Sequence, residues 1–141
     1  MTRRLAIASD HAGYTLKEAI KQKFGDIEWL DVGTDSTDSV DYPDFGHKLA
    51  DAIASGETQE GIVVCGSGIG ISIAANRNKA VRAALCTSAE MAKLSRQHND
   101  ANVLALGERL TQEATAFEIV EAFLNTEFEG GRHQRRVDKL S

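Results

Sequence analysis

The sequence predicts an α/β fold, in which one Rossmann-like domain has a five-stranded parallel sheet covered by helices on both faces. The length of 141 residues suits a single domain, since domains commonly have about 100 to 150 residues. Short apolar segments alternate with stretches in which apolar residues recur every three or four positions. The connections are short, and this alternation builds parallel sheets with right-handed crossovers.

Five segments have the composition of strands. They are Leu5–Ser9, Ile27–Val32, Gly61–Cys65, Arg82–Cys86 and Val103–Leu106. The third contains a continuous run of β-branched residues, which is typical of a strand buried on both faces. A sheet order beginning 2-1-3 would bring the ends of the first and third strands together at a ligand-binding crevice. The places of the fourth and fifth strands stay open.

Each of these strands precedes a stretch with helical character. Apolar residues recur every fourth position in Leu16–Phe24 and in Phe45–Ile53, and Pro43 suits the first turn of the second helix. Further helices are expected from near Ile71, around Met91–Leu94 and across Phe117–Leu124. The longest segment without periodicity, Gly33–Tyr42, is predicted to be a surface loop.

The charge distribution limits the partners of the protein. The net charge of −5 argues against nucleic acid as a partner, because nonspecific binding needs a basic surface. A basic C-terminal tail, residues 129–141, concentrates positive charge in an otherwise acidic chain. The tail either binds a small anion or is an ordinary solvated segment, and charge alone leaves both readings open. Its charged and titratable residues include Arg132, His133, Arg135, Arg136 and Lys139.

The cysteines and the N-terminus indicate a cytoplasmic location. Cys65 and Cys86 form no C-x-x-C pair, and two cysteines cannot build the disulfide framework of a small secreted domain. The segment Met1–Asp10 has too short an apolar run for a signal peptide or a membrane span. We therefore expect neither a targeting segment nor a membrane partner.

The sharpest local signal is the glycine-rich turn Cys65–Gly70, between a buried strand and a helix. Its backbone amides and the helix N-terminus can face an anion, although a purely structural turn would also fit. Ile71 stands where the dinucleotide fingerprint needs glycine, and the Walker pattern is also absent. The same amides would stabilise a thiolate at Cys65, whereas Cys86 has no such turn and is expected to be a buried, inert thiol.

Two polar segments are candidates for hydroxyl recognition and proton transfer. Asp10 and His11 follow the first strand, and Arg96–Asp100 precedes the fifth. His11 and His98 are interpreted as loop residues, whereas His47 is expected to be solvated on a helix. His133 could be structural or functional. No metal-ligand spacing occurs among these residues, so no metal or cofactor is expected.

Taken together, these motifs give the chain a family resemblance over nearly its whole length. They are Ser9–Gly13, Asp41–Pro43, Cys65–Asn76, Leu94–Asp100 and Glu129–His133. In their order and spacing they resemble ribose-5-phosphate isomerase B, whose family also includes galactose- and allose-phosphate isomerases. One branch of that family has a glutamate where this chain has Ile71, which places the chain in the cysteine branch.

The resemblance implies a cofactor-free homodimer whose active sites draw on both subunits and act on a sugar phosphate. It implies that Cys65 is the base in the interconversion of ribose 5-phosphate and ribulose 5-phosphate, and that His98 opens the sugar ring. Ser67 replaces a threonine of some relatives, so its catalytic role stays open. The implied substrate-binding residues are Asp10, His11, Tyr42, Gly66, Ser67, Gly68, Ile69, Gly70, Asn99, Arg109, Arg132 and Arg136.

Two alternatives remain open at this stage. The same reaction could act on a four- or six-carbon aldose phosphate, because chain length would be read by loops such as Gly33–Tyr42. A sugar-phosphate sensor would bind without turnover and would tolerate Cys65→Ala. Exchange of a substrate C–H proton with solvent would distinguish an isomerase from such a sensor.

Overall fold

The computed structural model describes residues 3–141, and these residues form the expected parallel sheet with helices on both faces. The strands are β1 (Arg4–Ser9), β2 (Glu28–Asp31), β3 (Gly61–Cys65), β4 (Ala83–Leu85) and β5 (Val103–Gly107). The helices are α1 (Tyr14–Lys23), α2 (Tyr42–Ala54), α3 (Ile69–Asn76), α4 (Ala89–Asn99), α5 (Glu113–Asn125) and α6 (Arg132–Asp138). A short 3-10 helix, His11–Gly13, precedes α1. The predicted fold class is confirmed.

The strand order is β2-β1-β3-β5-β4, with every neighbouring pair parallel. The predicted order 2-1-3 is therefore confirmed, and the ends of β1 and β3 lie side by side. The chain moves outward through α3 to the edge strand β4, and α4 then returns it to β5 beside β3. In the register of β3 and β5, Gly61 pairs with Val103 and Cys65 pairs with Gly107.

The core consists of two apolar layers on opposite faces of the sheet. Helices α1, α4 and α5 contribute to one layer, and α2 and α3 contribute to the other. Within β3, Ile62 and Val64 belong to the first layer, while Val63 and Cys65 belong to the second. Burial on both faces explains why β3 is apolar at consecutive positions. No helix within residues 3–141 has the length and apolar character needed to cross a membrane.

One local prediction needs correction, and one open question is answered. His98 was expected in a loop but lies in the last turn of α4, which continues to Asn99 because the chain turns only at Asp100, at a φ of 45°. Of the two readings left open for the basic tail, the ordinary solvated segment does not fit, because the tail contains α6, whose His133 and Val137 are buried. Met1 and Thr2 begin the N-terminal segment that was judged too short for a signal peptide, and they lie outside the described residues.

Candidate active site

A cleft of about 560 Å³ opens beyond the carboxyl ends of β1 and β3. This is the crevice where ligands bind in open parallel sheets, because neighbouring crossovers there leave on opposite faces. Most of the predicted site residues line it. The lining consists of Asp10, His11, Ala12, Tyr42, Cys65, Gly66, Ser67, Ile69, Gly70, Ile73, Arg109 and Leu110.

Cys65 is the last residue of β3 and is 4% exposed. The backbone N–H of Gly68 donates to its Sγ across 3.1 Å. This amide can reach the sulfur because Gly68 has a φ of 79°, and its missing side chain leaves room for Leu85 and Leu106. An N–H group directed at sulfur stabilises the thiolate, which is the form that acts as a base.

Ser67 and Gly70 lie where the glycine-rich turn joins α3. The backbone N–H of Ile69 donates to the Ser67 hydroxyl oxygen at 3.2 Å, so this side chain caps the turn. A Cβ atom on Gly70 would overlap with the ring of Tyr42, so glycine at this position lets the ring pack against the backbone. Both residues line the cleft. The helix N-terminus gives this side of the cleft a partial positive charge that suits developing negative charge on a substrate.

Asp10 and His11 are brought close to Cys65 by the tight packing of the 3-10 helix on β3. Gly13 lies against the carbonyl of Val64, where a Cβ atom would overlap with backbone. The Gly13 N–H donates to Asp10 Oδ1 at 3.0 Å, which orients a carboxylate that is only 6% exposed. The backbone N–H of Val40 donates to His11 Nδ1 at 3.1 Å. Both side chains are thus held by backbone amides.

Arg109 supplies positive charge to the cleft. It follows β5, and its guanidinium lies against Gly66, where a Cβ atom would be 3.2 Å from Nη1. Among residues 3–141, no carboxylate forms a salt bridge with Arg109. An arginine without such a carboxylate can pair with a phosphate.

The other predicted residues lie beyond the amino ends of the strands, at the edge of the sheet opposite the cleft. His98, Asn99 and Arg136 line a second pocket of about 230 Å³ with His133, Val137 and Leu140, and Arg132 lies one helical turn before Arg136. We call this the α4–α6 pocket. Helix α4 ends just before β5 begins at Val103, which is level with Gly61 and therefore roughly 13 Å along the strand from Cys65. One chain therefore does not bring these residues to Cys65.

His133 is a residue that sequence reasoning left unresolved. Its ring stacks on that of His98, with centroids 4.5 Å apart and planes 16° apart. Burial lowers the pKa of His133, and electrostatic interactions with His98 and Arg132 lower it further. The signal in the sequence was the i, i+4 spacing of His133 and Val137, which puts both on the buried face of α6.

Glu129 lies beside this stacked pair, with its Oε1 3.6 Å from His133 Nε2. Ligand atoms of Glu129, His98 and His133 all lie within 4.8 Å of one another, a grouping in which a metal ion could be considered. The two rings are nearly parallel, so their lone pairs do not converge on one point. The arrangement fits a histidine pair with a carboxylate better than a set of metal ligands.

Cys86 differs from Cys65 in its surroundings. It is 1% exposed, directly after β4, and burial raises its pKa to about 11. A thiol with this pKa stays protonated near neutral pH and is a poor nucleophile. The structure thus supports the prediction of a buried, inert thiol.

Comparison with known proteins assigns the family. The family described as Ribose/Galactose Isomerase matches residues 5–140 of the chain. The chain belongs to this family. It is 44% identical over 141 residues to ribose-5-phosphate isomerase B of Escherichia coli, covering 99% of this chain and 95% of that protein. The predicted family and the predicted enzyme class, an aldose–ketose isomerase, are confirmed.

Solved structures agree with this assignment. A ribose 5-phosphate isomerase from Thermotoga maritima superimposes with a TM-score of 0.96 at 50% identity, covering 99% of this chain and 98% of that one. Ribose-5-phosphate isomerase B from Mycoplasma genitalium, solved with bound ribulose-5-phosphate, gives a TM-score of 0.93 at 44% identity. That match covers 99% of this chain and 95% of the Mycoplasma chain.

Proposed function

We propose that the protein interconverts ribose 5-phosphate and ribulose 5-phosphate through an enediolate, with Cys65 as the base. The observation that carries the proposal is the Gly68 N–H donating to the Cys65 sulfur in a cleft at the sheet crevice. Relatives that are similar over nearly their whole length are named for this substrate, and one was solved with the ketose product. The thiol needs a reducing compartment to stay free, which favours the cytoplasm.

The chemistry of the proposed reaction is a proton shift between neighbouring carbons. The Cys65 thiolate takes the proton from C2 of the open aldose, and the electron pair moves toward the carbonyl oxygen to form the enediolate. Amides of the turn between Cys65 and Gly70 and the partial charge of the α3 N-terminus stabilise the developing oxyanion. A proton passes from O2 to O1 of the enediolate, and the protonated thiol then returns its proton to C1, which gives the ketose with its carbonyl at C2.

We further propose that a second copy of the chain completes the site as a homodimer. The partner subunit's His98 would open the sugar ring, and the partner subunit's Asn99, Arg132 and Arg136 would bind sugar and phosphate. This division is supported by the position of these residues at the other edge of the sheet, where they cannot serve Cys65 of their own chain.

Exposed apolar side chains at the cleft also support association. Ile69, Ile73 and Leu110 line the cleft, and they are 51%, 50% and 69% exposed. Contact with a second subunit would remove this apolar surface from water, which is the main driving force for stable dimers. At the proposed interface, the second subunit would therefore cover the cleft and supply the residues that the cleft lacks.

The decisive assay follows substrate protons during turnover. Purified protein is incubated with ribose 5-phosphate in deuterated water, and NMR measures ketose formation together with deuterium incorporation at the C1 and C2 positions. The proposal expects turnover, with solvent deuterium appearing in the product. Parallel incubations with four- and six-carbon aldose phosphates test the preferred chain length. Binding of the sugar phosphate with neither turnover nor exchange would instead identify a sensor.

A further inference from the structure

The segment 33–41 contacts the cleft through one backbone hydrogen bond to His11. The Val40 N–H donates to Nδ1 of this half-buried ring at 3.1 Å. A nitrogen that accepts from an N–H must hold a lone pair there, so Nδ1 carries no proton. A neutral imidazole has its single proton on the other nitrogen. This hydrogen-bond geometry fits the tautomer of His11 that has its proton on Nε2.

The start of the segment is anchored by several hydrogen bonds. Ser9 N–H donates to the Gly33 carbonyl and Thr34 N–H donates to the Ser9 carbonyl, both at 2.7 Å. Lys17, which is 1% exposed, donates from Nζ to the Thr34 carbonyl at 2.7 Å. The same Nζ lies 2.8 and 2.7 Å from the two carboxylate oxygens of Asp31. The segment therefore leaves the sheet from a fixed point.

The far end of the segment is fixed by α2, which begins at Tyr42, two residues after Val40. Tyr42 also lines the cleft and packs on Gly70. With both ends held, the Val40 amide has a defined position relative to His11. A change in the length or course of the segment would move this amide and release the ring.

The free side of His11 suits a sugar hydroxyl. Among residues 3–141, Nε2 of His11 has no hydrogen-bond partner, and the ring lines the cleft. Its neighbour Asp10 presents a carboxylate, which accepts hydrogen bonds. A hydroxyl both donates and accepts, so an adjacent acceptor and N–H donor match its two functions.

We propose that the Val40 backbone amide is a positioning group that holds His11 as a neutral Nε2–H donor to a substrate oxygen. His11 then orients the sugar without taking a proton during the reaction, and segment 33–41 influences sugar recognition through this ring. The identity of the substrate oxygen rests on the proposed function. The tautomer does not, because it is a property of the protein alone.

The direct test is nitrogen NMR on the uniformly ¹⁵N-labelled protein without ligand near neutral pH. Long-range correlations of ring protons and nitrogens distinguish the two neutral tautomers and the cation for each of the four histidines. Spectra of His11→Gln identify the His11 signals. The proposal expects a protonated Nε2 and a bare Nδ1. A protonated Nδ1, or exchange between both tautomers, would overturn it.

A matched pair of variants tests the amide of Val40. Val40→Pro removes the donor N–H, whereas Val40→Ala keeps it and serves as the control. The proline variant should lose the single-tautomer signature, and its KM for ribose 5-phosphate should exceed that of the alanine variant by about tenfold, the scale of one lost hydrogen bond. An unchanged tautomer in a folded proline variant would contradict the role of the amide.

A second pair of variants tests the donor without changing the segment. The amide of glutamine can place an N–H near the position of Nε2, whereas the shorter asparagine places it near Nδ1. His11→Gln should therefore retain about tenfold more kcat/KM than His11→Asn. The opposite order would contradict donation from Nε2. Lack of any turnover in wild type, together with the expected ring signals, would reject only the proposed function.

Discussion

The two edges of the sheet carry different halves of the proposed chemistry. The carboxyl edge holds Cys65, the amides of its turn and Arg109, all around one cleft. The amino edge holds His98, Asn99 and Arg136 in the α4–α6 pocket, with Arg132 one helical turn before Arg136. In the proposal, the first set supplies the base and an anion site, and the second supplies a histidine that donates a proton and two arginines, Arg132 and Arg136, that bind phosphate. On this proposal, neither edge alone is a complete aldose–ketose isomerase site.

Strand ends and helix ends hold the candidate groups in different ways. Cys65 and Asp10 are fixed by backbone hydrogen bonds within one chain. His98 lies where α4 ends and stacks on His133 of α6, and neither histidine lines the cleft that contains Cys65. Groups on the carboxyl edge should therefore affect the proton shift, and groups on the amino edge should affect ring opening and phosphate binding.

The largest effect is expected at Cys65. Cys65→Ala should lower kcat by about two orders of magnitude or more, since a positioned base is lost, while substrate affinity stays nearly constant. Steady-state kinetics and calorimetry measure the two quantities. Retention of more than about a tenth of the wild-type kcat would rule out Cys65 as the base.

His98 should have an effect that depends on the sugar. His98→Asn should lower activity by about two orders of magnitude on ribose 5-phosphate, because the closed furanose needs a proton donor to open. Erythrose 4-phosphate cannot form that ring, since its O4 carries the phosphate. The variant should therefore lose far less activity on this substrate.

The comparison requires that wild type turns over the four-carbon sugar, which is measured first as the control. Parallel rate measurements on both substrates then separate chemistry from packing. If His98 only supports the stack with His133, the variant would lose the same factor on both sugars. Such equal losses would remove ring opening from its role.

The arginines of α6 should produce a smaller effect, mainly on KM. Arg132→Ala and Arg136→Ala should each raise KM by about tenfold, with kcat nearly constant, because phosphate contacts act on ground state and transition state alike. Arg135→Ala, a charge-matched change on the same helix, is the control. A similar loss with a substrate analogue that lacks phosphate would show that the arginines do not act through phosphate.

The smallest effect is expected at Cys86. Burial raises its pKa to about 11, so that at pH 8 roughly one thiol in a thousand is ionised. Iodoacetamide at pH 8 should therefore modify Cys65 and leave Cys86 unmodified, as read by peptide mass spectrometry. Cys86 should become reactive only as pH rises toward 11. Rapid labelling of Cys86 at pH 8 in the folded protein would contradict its burial as an unionised thiol.

The sequence predicted the carboxyl edge better than the amino edge. Asp10, Cys65 and the glycine turn follow strands directly, so knowing the strand ends was enough to group them. His98 was misplaced because only the left-handed turn at Asp100 determines where α4 ends. The order of β4 and β5 stayed open because both are short apolar segments with the same pattern. The environment of His133 depends on contact between α4 and α6, which local periodicity does not encode.

In the proposed dimer, the cleft of one subunit is completed by the α4–α6 pocket of its partner, and mixing two inactive variants shows whether this is so. Cys65→Ala and His98→Asn proteins are combined, and native mass spectrometry follows subunit exchange. Random exchange between equal amounts of the two variants makes half of the dimers hybrids, and each hybrid has one intact site of two. Activity on ribose 5-phosphate should then rise to about a quarter of the wild-type value. Hybrid dimers that form without any recovery of activity would contradict a shared site and place all catalytic groups within one chain.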